Sequence, residues 1–230
     1  MKFSPIEKDP NKDTVTKEKL VLEFWIEAQK LFIEQNITKD VIYKSIFASD
    51  ITFRNGIILF LKIIANNYIP FYIVSAGFSP VIEGMFKIIE SLSDLENFDF
   101  INLIAKPTEF DSNNKLIKFG IPLVHFHSKN KVVKEKIGLN DKQNCILIGD
   151  MIPDIDMISG IDYKTKLLIG YFNSLNENDD LYDAFSNSYD IVIMGDASLQ
   201  PVIFILAKIL QDESLINTNE FQILESLFTS

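Results

Sequence analysis

The sequence predicts an α/β protein: a parallel sheet flanked by helices, preceded by a helical segment. Three observations predict it. Phe71–Val74 is a short continuous apolar run, the signature of a strand buried on both faces. Further strand candidates recur at Ile101–Ala105, Cys145–Ile148, Leu167–Ile169 and Asp190–Met194, with helical patterns before or between several of them. Before Phe71 the apolar residues keep helical spacing instead. Strand–helix alternation implies parallel pairing with helices on both faces.

The elements follow in order. Residues 1–13 are polar, with Pro5 and Pro10, and read as an extended lead-in. From Thr14 to about Asn36, the positions Leu20, Val21, Phe24, Trp25, Ala28, Leu31 and Phe32 form the stripe of an amphipathic helix. Lys39–Phe47 reads as a shorter helix. Asn55-Gly56 is a turn signal, and Ile57–Asn66 reads as a third helix. After the strand at Phe71, Ser79-Pro80 suits a helix start, serine as cap and proline in the first turn. Asp111–Lys115 is polar and Asn-rich, the composition of a turn or hairpin. Lys131–Ile137 and Leu199–Leu210 complete the helical patterns. The chain divides into a helical part, residues 1–50, and an α/β part, residues 51–230.

Composition narrows the function. Apolar residues make up 47% and charged residues 23%, the balance of a globular protein. A net charge of -10 argues against nucleic acid as a main partner, because phosphate backbones attract basic faces. The most apolar stretches, Gly56–Ala65 and Pro201–Ala207, are about half the ~20 residues of a membrane span, which argues against the membrane. Cys145 is the single cysteine, which suits a reducing cytosol, and its place in an apolar run makes it a small buried hydrophobe.

In open α/β sheets, ligands bind beyond the carboxyl ends of the strands. Three groups fall there. Ser75-Ala76-Gly77 ends the strand at Val74; a hydroxyl, small neighbours and a following helix can cradle a phosphate, although a serine there also suits a local cap. Gly149-Asp150-Met151-Ile152-Pro153-Asp154 follows the run Cys145–Ile148. Two carboxylates one turn apart repel each other unless a cation or hydrogen-bond donors compensate, and magnesium needs only one or two of them. The alternative is an N-cap by Asp150, with Asp154 and Asp156 on a solvated face. Lys129, after the segment Ile121–Phe126, could hold a transferring phosphoryl group or be a surface lysine. His125 and His127 lack a cysteine cluster nearby, so a zinc site is poorly supported.

In this order, the serine, the lysine and the strand-Gly-Asp-x-x-x-Asp resemble motifs two to four of the haloacid dehalogenase-like phosphatases. More narrowly, the chain resembles the cytosolic pyrimidine 5'-nucleotidase family, the type III cytosolic 5'-nucleotidases. That match rests on Ile6–Pro10 with Thr14 and Glu18, Ser49-Asp50 before Arg54-Asn55-Gly56, and Ile69-Pro70-Phe71. It continues through Gly170-Tyr171-Phe172-Asn173, Tyr189–Val192 and Asp196–Leu199. The resemblance implies a haloacid dehalogenase-like α/β core with a small helical cap. It implies hydrolysis of pyrimidine nucleoside 5'-monophosphates with Mg2+, through an aspartyl phosphate, by a cytoplasmic monomer. In those terms Ser75, helped by the backbone of Ala76 and Gly77, binds phosphate. Lys129 neutralises charge, Asp150 ligates magnesium, and Asp154 holds the metal's water shell or orients Lys129. Phe24 or Trp25 is a candidate to stack on the base; both also suit a helix core. Alternatives are another phosphatase of the superfamily, acting on small phosphoesters, and an inactive phosphate-binding homologue.

The resemblance also implies a strand and two aspartates, in a pattern such as Asp-x-Asp-x-Thr, that no part of these 230 residues supplies. In the family that strand lies between those ending in Ser75 and Asp150. The expectation is a shortened form of a longer enzyme, with two strand edges facing a gap, each unpaired buried group costing ~1–3 kcal/mol. Pro153 stands where the family usually has glycine.

Overall fold

The computed structural model describes residues 14–95, 97–120, 132–135, 142–176 and 181–216. Lys129, His125 and His127 lie outside them, as does most of the helix expected at 131–137, of which residues 132–135 are helical. The N-terminal helices are α1 (Thr14–Glu34), α2 (Lys39–Phe47) and α3 (Ile57–Asn66). Then come β1 (Phe71–Phe78), α4 (Ser79–Leu92) and β2 (Ile101–Lys106), followed by a hairpin of β3 (Thr108–Phe110) and β4 (Leu116–Phe119). The remainder is β5 (Asn144–Gly149), a 3-10 helix (Ile152–Ile158), β6 (Thr165–Phe172), α5 (Tyr182–Ser186), β7 (Ile191–Met194), α6 (Gln200–Leu210) and a 3-10 turn (Glu213–Ile216).

The parallel pairs form two separate sheets. β1 pairs with β2, and β5, β6 and β7 pair in that order. Among the described residues no strand is hydrogen-bonded between β1 and β5. Two apolar clusters cover the strands. On one side, Phe60, Leu61, Ile63 and Ile64 of α3 and Val202, Ile203, Phe204 and Leu206 of α6 pack on Ile169 and Tyr171 of β6. On the other, Leu147, Met157, Ile158 and Phe185 pack on the alternate residue Phe172. This alternation is the two-residue period of a strand covered on both faces.

The segment before residue 50 docks through an aromatic cluster of Trp25 and Phe32 on Phe78 and Phe119, and through small and polar contacts. A Cβ at Gly84 of α4 would come 2.6 Å from Ile46 Cδ1 of α2, so any larger residue there would displace the tip of Ile46 at this close crossing. Tyr43 donates to Glu83 at 3.0 Å, and Lys39 pairs with the same carboxylate. The hairpin completes this unit: the Phe119 N–H donates to Gln29 Oε1 of α1, and the Leu116 N–H to the Ile37 carbonyl. Its turn is the one expected at Asp111–Lys115, closed by Asp111 Oδ1 accepting from the N–H groups of Asn113 and Lys115.

One local expectation is corrected. Ser79 does not cap α4; it is the first helical residue, Phe78 holds the cap position in extended geometry, and no side chain bonds the helix end. β1 runs on to Phe78, which leaves no room for a serine cap.

Candidate active site

A cavity of about 340 Å³ opens between the carboxyl ends of β1 and β5. One wall is Val74–Gly77; the other is Ile148–Met151 with Asp154 and Met157. The structure therefore brings Ser75, Ala76, Gly77, Asp150 and Asp154, five residues singled out by sequence, around one space.

The β1 wall is built by a bulge. Val74 pairs with Ile104 and Phe78 with Lys106, so Ser75, Ala76 and Gly77 stand opposite Ala105 alone. The surplus chain bows out of the ladder. Its Gly77 N–H turns back onto Ser75 Oγ at 3.0 Å. A hydroxyl that accepts one bond still has its own O–H to donate.

The β5 wall begins at Gly149. A Cβ there would lie 2.7 Å from Tyr189 Oη and 3.0 Å from Asp154 Oδ2, so only glycine lets Asp154 fold back. Asp154 is 5% exposed, and its Oδ2 accepts from the N–H groups of Asp150 and Met151, both at 3.2 Å. Of the two arrangements open to sequence, solvated carboxylate and compensated carboxylate, the second holds for Asp154. Asp154 also takes the capping role that the sequence offered to Asp150. Tyr189 donates to the Met151 carbonyl at 2.7 Å and fixes the turn from below. Burial, and then the charges of Asp154 and Asp150, push the Tyr189 phenol well above its ordinary range.

Asp150 is exposed at the cavity and held from the side. Asn173 Nδ2 approaches its Oδ2 at 3.5 Å, the outer limit of a hydrogen bond. Asn173 Oδ1 in turn accepts from Arg54 Nη2 at 2.8 Å. Arg54 Nη1 donates to the Ala197 carbonyl at 2.7 Å and to Asp196 at 3.2 Å, and the guanidinium lies 4.2 Å above the Tyr171 ring. Burial raises the Tyr171 phenol to about 12, against the lowering effect of Arg54. Cys145 is a partly buried free thiol whose pKa burial raises, in keeping with a small apolar role.

The donor set suits a hard cation. Among the described residues no group of three or more His, Cys, Asp and Glu side chains could hold a metal ion. Magnesium makes fewer demands: an exposed carboxylate, a second one a turn away, and water.

Phe24 and Trp25 do not line the cavity. Trp25 sits edge-on to Phe78 at 5.3 Å and Phe119 at 6.4 Å, with Phe24 at 5.0 Å, in an aromatic cluster beside the end of β1. Arg54, Asn173 and Tyr189 lie in stretches that carry the family resemblance but have no role in the sequence pattern, and Lys106 lies outside those stretches. A lysine closing an apolar strand was the available signal, since lysine is almost never fully buried without a partner.

A family model described as "Pyrimidine 5'-nucleotidase (UMPH-1)" matches residues 1–210. The "7-methylguanosine phosphate-specific 5'-nucleotidase A" of Xenopus laevis is 31% identical over 205 residues, covering 87% of this chain and 68% of that protein. The Homo sapiens "7-methylguanosine phosphate-specific 5'-nucleotidase" is 30% identical over 213 residues, covering 90% and 69%. Among solved structures, cytosolic 5'-nucleotidase IIIB bound to cytidine superposes with a TM-score of 0.75 at 21% identity, over 93% of this chain and 71% of that one. That likeness identifies the fold as haloacid dehalogenase-like. With the cavity at its two strand ends and the match running through both walls, the chain belongs to the pyrimidine 5'-nucleotidase (UMPH-1) family.

Proposed function

We propose that this protein acts in hydrolysis of nucleoside 5'-monophosphates to nucleoside and phosphate, with magnesium, in the cytoplasm and as a monomer. One observation carries the reading: a hydroxyl at the end of β1 and a carboxylate pair at the end of β5 line a single cavity. Ser75 donates its O–H to a phosphate oxygen. Asp150 holds the cation, and Asp154 fixes the loop that presents it. Lys129 neutralises charge on the transferring group. Bound magnesium supplies charge stabilisation for the phosphoryl oxygens. Phe24 or Trp25, in the aromatic cluster outside the cavity beside the end of β1, is the stacking partner for a base that reaches past that wall.

Both cavity carboxylates already have donors, Asp154 from two backbone N–H groups and Asp150 from Asn173. The aspartyl-phosphate route rests on the aspartate of the Asp-x-Asp-x-Thr pattern that the family resemblance implies, which no part of these 230 residues supplies. A pyrimidine preference follows the family description, while the vertebrate relatives bear the name of 7-methylguanosine phosphate.

A substrate panel tests all of this. Phosphate release is measured from CMP, UMP, 7-methyl-GMP and phosphoserine, with magnesium and with EDTA, in a form of the protein that carries the Asp-x-Asp-x-Thr strand. The expected result is release from pyrimidine nucleotides that EDTA abolishes. Preference for phosphoserine, or release that survives EDTA, overturns the corresponding part. Binding without turnover in every case identifies an inactive homologue.

A further inference from the structure

Lys106 ends β2 and is 0% exposed, the largest of the fully buried side chains. A buried ammonium has to be paired or strongly hydrogen-bonded. Its Nζ donates to the Ala76 carbonyl and lies 3.7 Å from the centroid of the Trp25 ring. Ala76 is the middle residue of the bulge that forms the β1 wall. A bulge removes its surplus residues from the ladder, so that carbonyl needs a partner from elsewhere.

The bonded atom matters. The Ala76 carbonyl and the Gly77 N–H belong to one planar peptide unit, so fixing one fixes the other. The Gly77 N–H donates to Ser75 Oγ. An ammonium on the carbonyl also polarises the unit and strengthens its N–H as a donor. With Oγ occupied as an acceptor, the Ser75 hydroxyl is left to direct its proton elsewhere. We propose that Lys106 is a positioning residue for the phosphate site: acting through the Ala76–Gly77 peptide, it sets the orientation of the Ser75 hydroxyl and ties it to Trp25. This rests on the reading of Ser75 as a phosphate ligand.

The chain contains one tryptophan, so emission reports on Trp25 alone. The test compares wild type with Lys106→Met, Lys106→Gln and Lys106→Arg, each checked for a native circular dichroism spectrum. Inorganic phosphate is titrated by calorimetry and by Trp25 emission, and the Gly77 amide resonance is followed by NMR without ligand. Lys106→Met is expected to move the Gly77 resonance, to weaken phosphate binding roughly tenfold, as loss of a charged hydrogen bond does, and to remove the emission response. Lys106→Arg restores all three, and Lys106→Gln, a neutral donor, falls between. If Lys106→Met misfolds, the Gln and Arg variants decide by their order. A Gly77 resonance and phosphate affinity unchanged in the folded variants overturn the proposal. If wild type binds no phosphate, the reading of Ser75 fails by itself, and the Gly77 resonance still decides for or against Lys106.

Discussion

The two walls of the cavity are held in opposite ways. The β1 wall is fixed by near neighbours: Gly77 bonds Ser75, and Lys106 reaches Ala76 from the adjacent strand. The β5 wall is fixed from afar, by Tyr189 under Met151 and by the Arg54–Asn173 pair beside Asp150. The positive charge of the first wall is buried, whereas the negative charge of Asp150 is exposed. A buried cation with short bonds sets geometry; an exposed carboxylate can exchange water for a metal ion. On the proposed function, the first wall orients the phosphate and the second recruits its counter-charge.

The largest effect expected is on the exposed charge. Asp150→Asn should lower magnesium affinity and phosphate release beyond the roughly 10–100-fold typical of a supporting residue, while Asn173→Ala should fall within that range. Calorimetry with magnesium checks both, and equal losses in the two variants would erase the distinction between a ligand and its support.

A smaller effect concerns stability. Asp154→Ala leaves the N–H groups of Asp150 and Met151 without their acceptor, at ~1–3 kcal/mol for a buried unsatisfied group. Asp154→Asn keeps an acceptor and should lose less. Urea unfolding separates them; identical midpoints would mean that the carboxylate does not organise the turn.

The smallest effect appears at high pH. The Tyr171 phenol stays protonated to about 12 in the folded protein, against 10.0 as its ordinary value. A folded pKa raised above the unfolded one gives stability that is complete below pH 10 and is lost as pH climbs towards 12. Tyr171→Phe should flatten that decline in a series of thermal melts, at the cost of the bond to the Ser198 carbonyl. A decline of unchanged slope would place the alkaline sensitivity elsewhere, with Tyr189 the next to replace.

Much of this was legible in the sequence, for reasons that differ by element. α2 and α3 match their expected bounds because apolar spacing and the Asn55-Gly56 turn mark them locally. β1, β2, β5 and β6 were placed but read short, and β7 one residue long: β6 extends from Thr165 to Phe172 because pairing on both sides carries it past its apolar centre. Ser75, Asp150 and Asp154 were legible because polar residues that follow apolar runs directly mark the carboxyl ends of strands, where open α/β sheets bind ligands. Lys106 was not, because its partners Ala76 and Trp25 are distant in sequence and no local pattern encodes the contact. The bulge escaped notice for a similar reason: it exists only as a register shift against β2.

Arg54 joins stretches of chain that are 119, 142 and 143 positions away. Closing such long loops is entropically slow, and contacts of this kind are gained after the local ones. The β5 wall of the pocket should consequently be among the last parts to assemble during folding. Truncating Arg54 to methionine would then speed unfolding and leave the refolding rate nearly unchanged, which stopped-flow chevrons can verify.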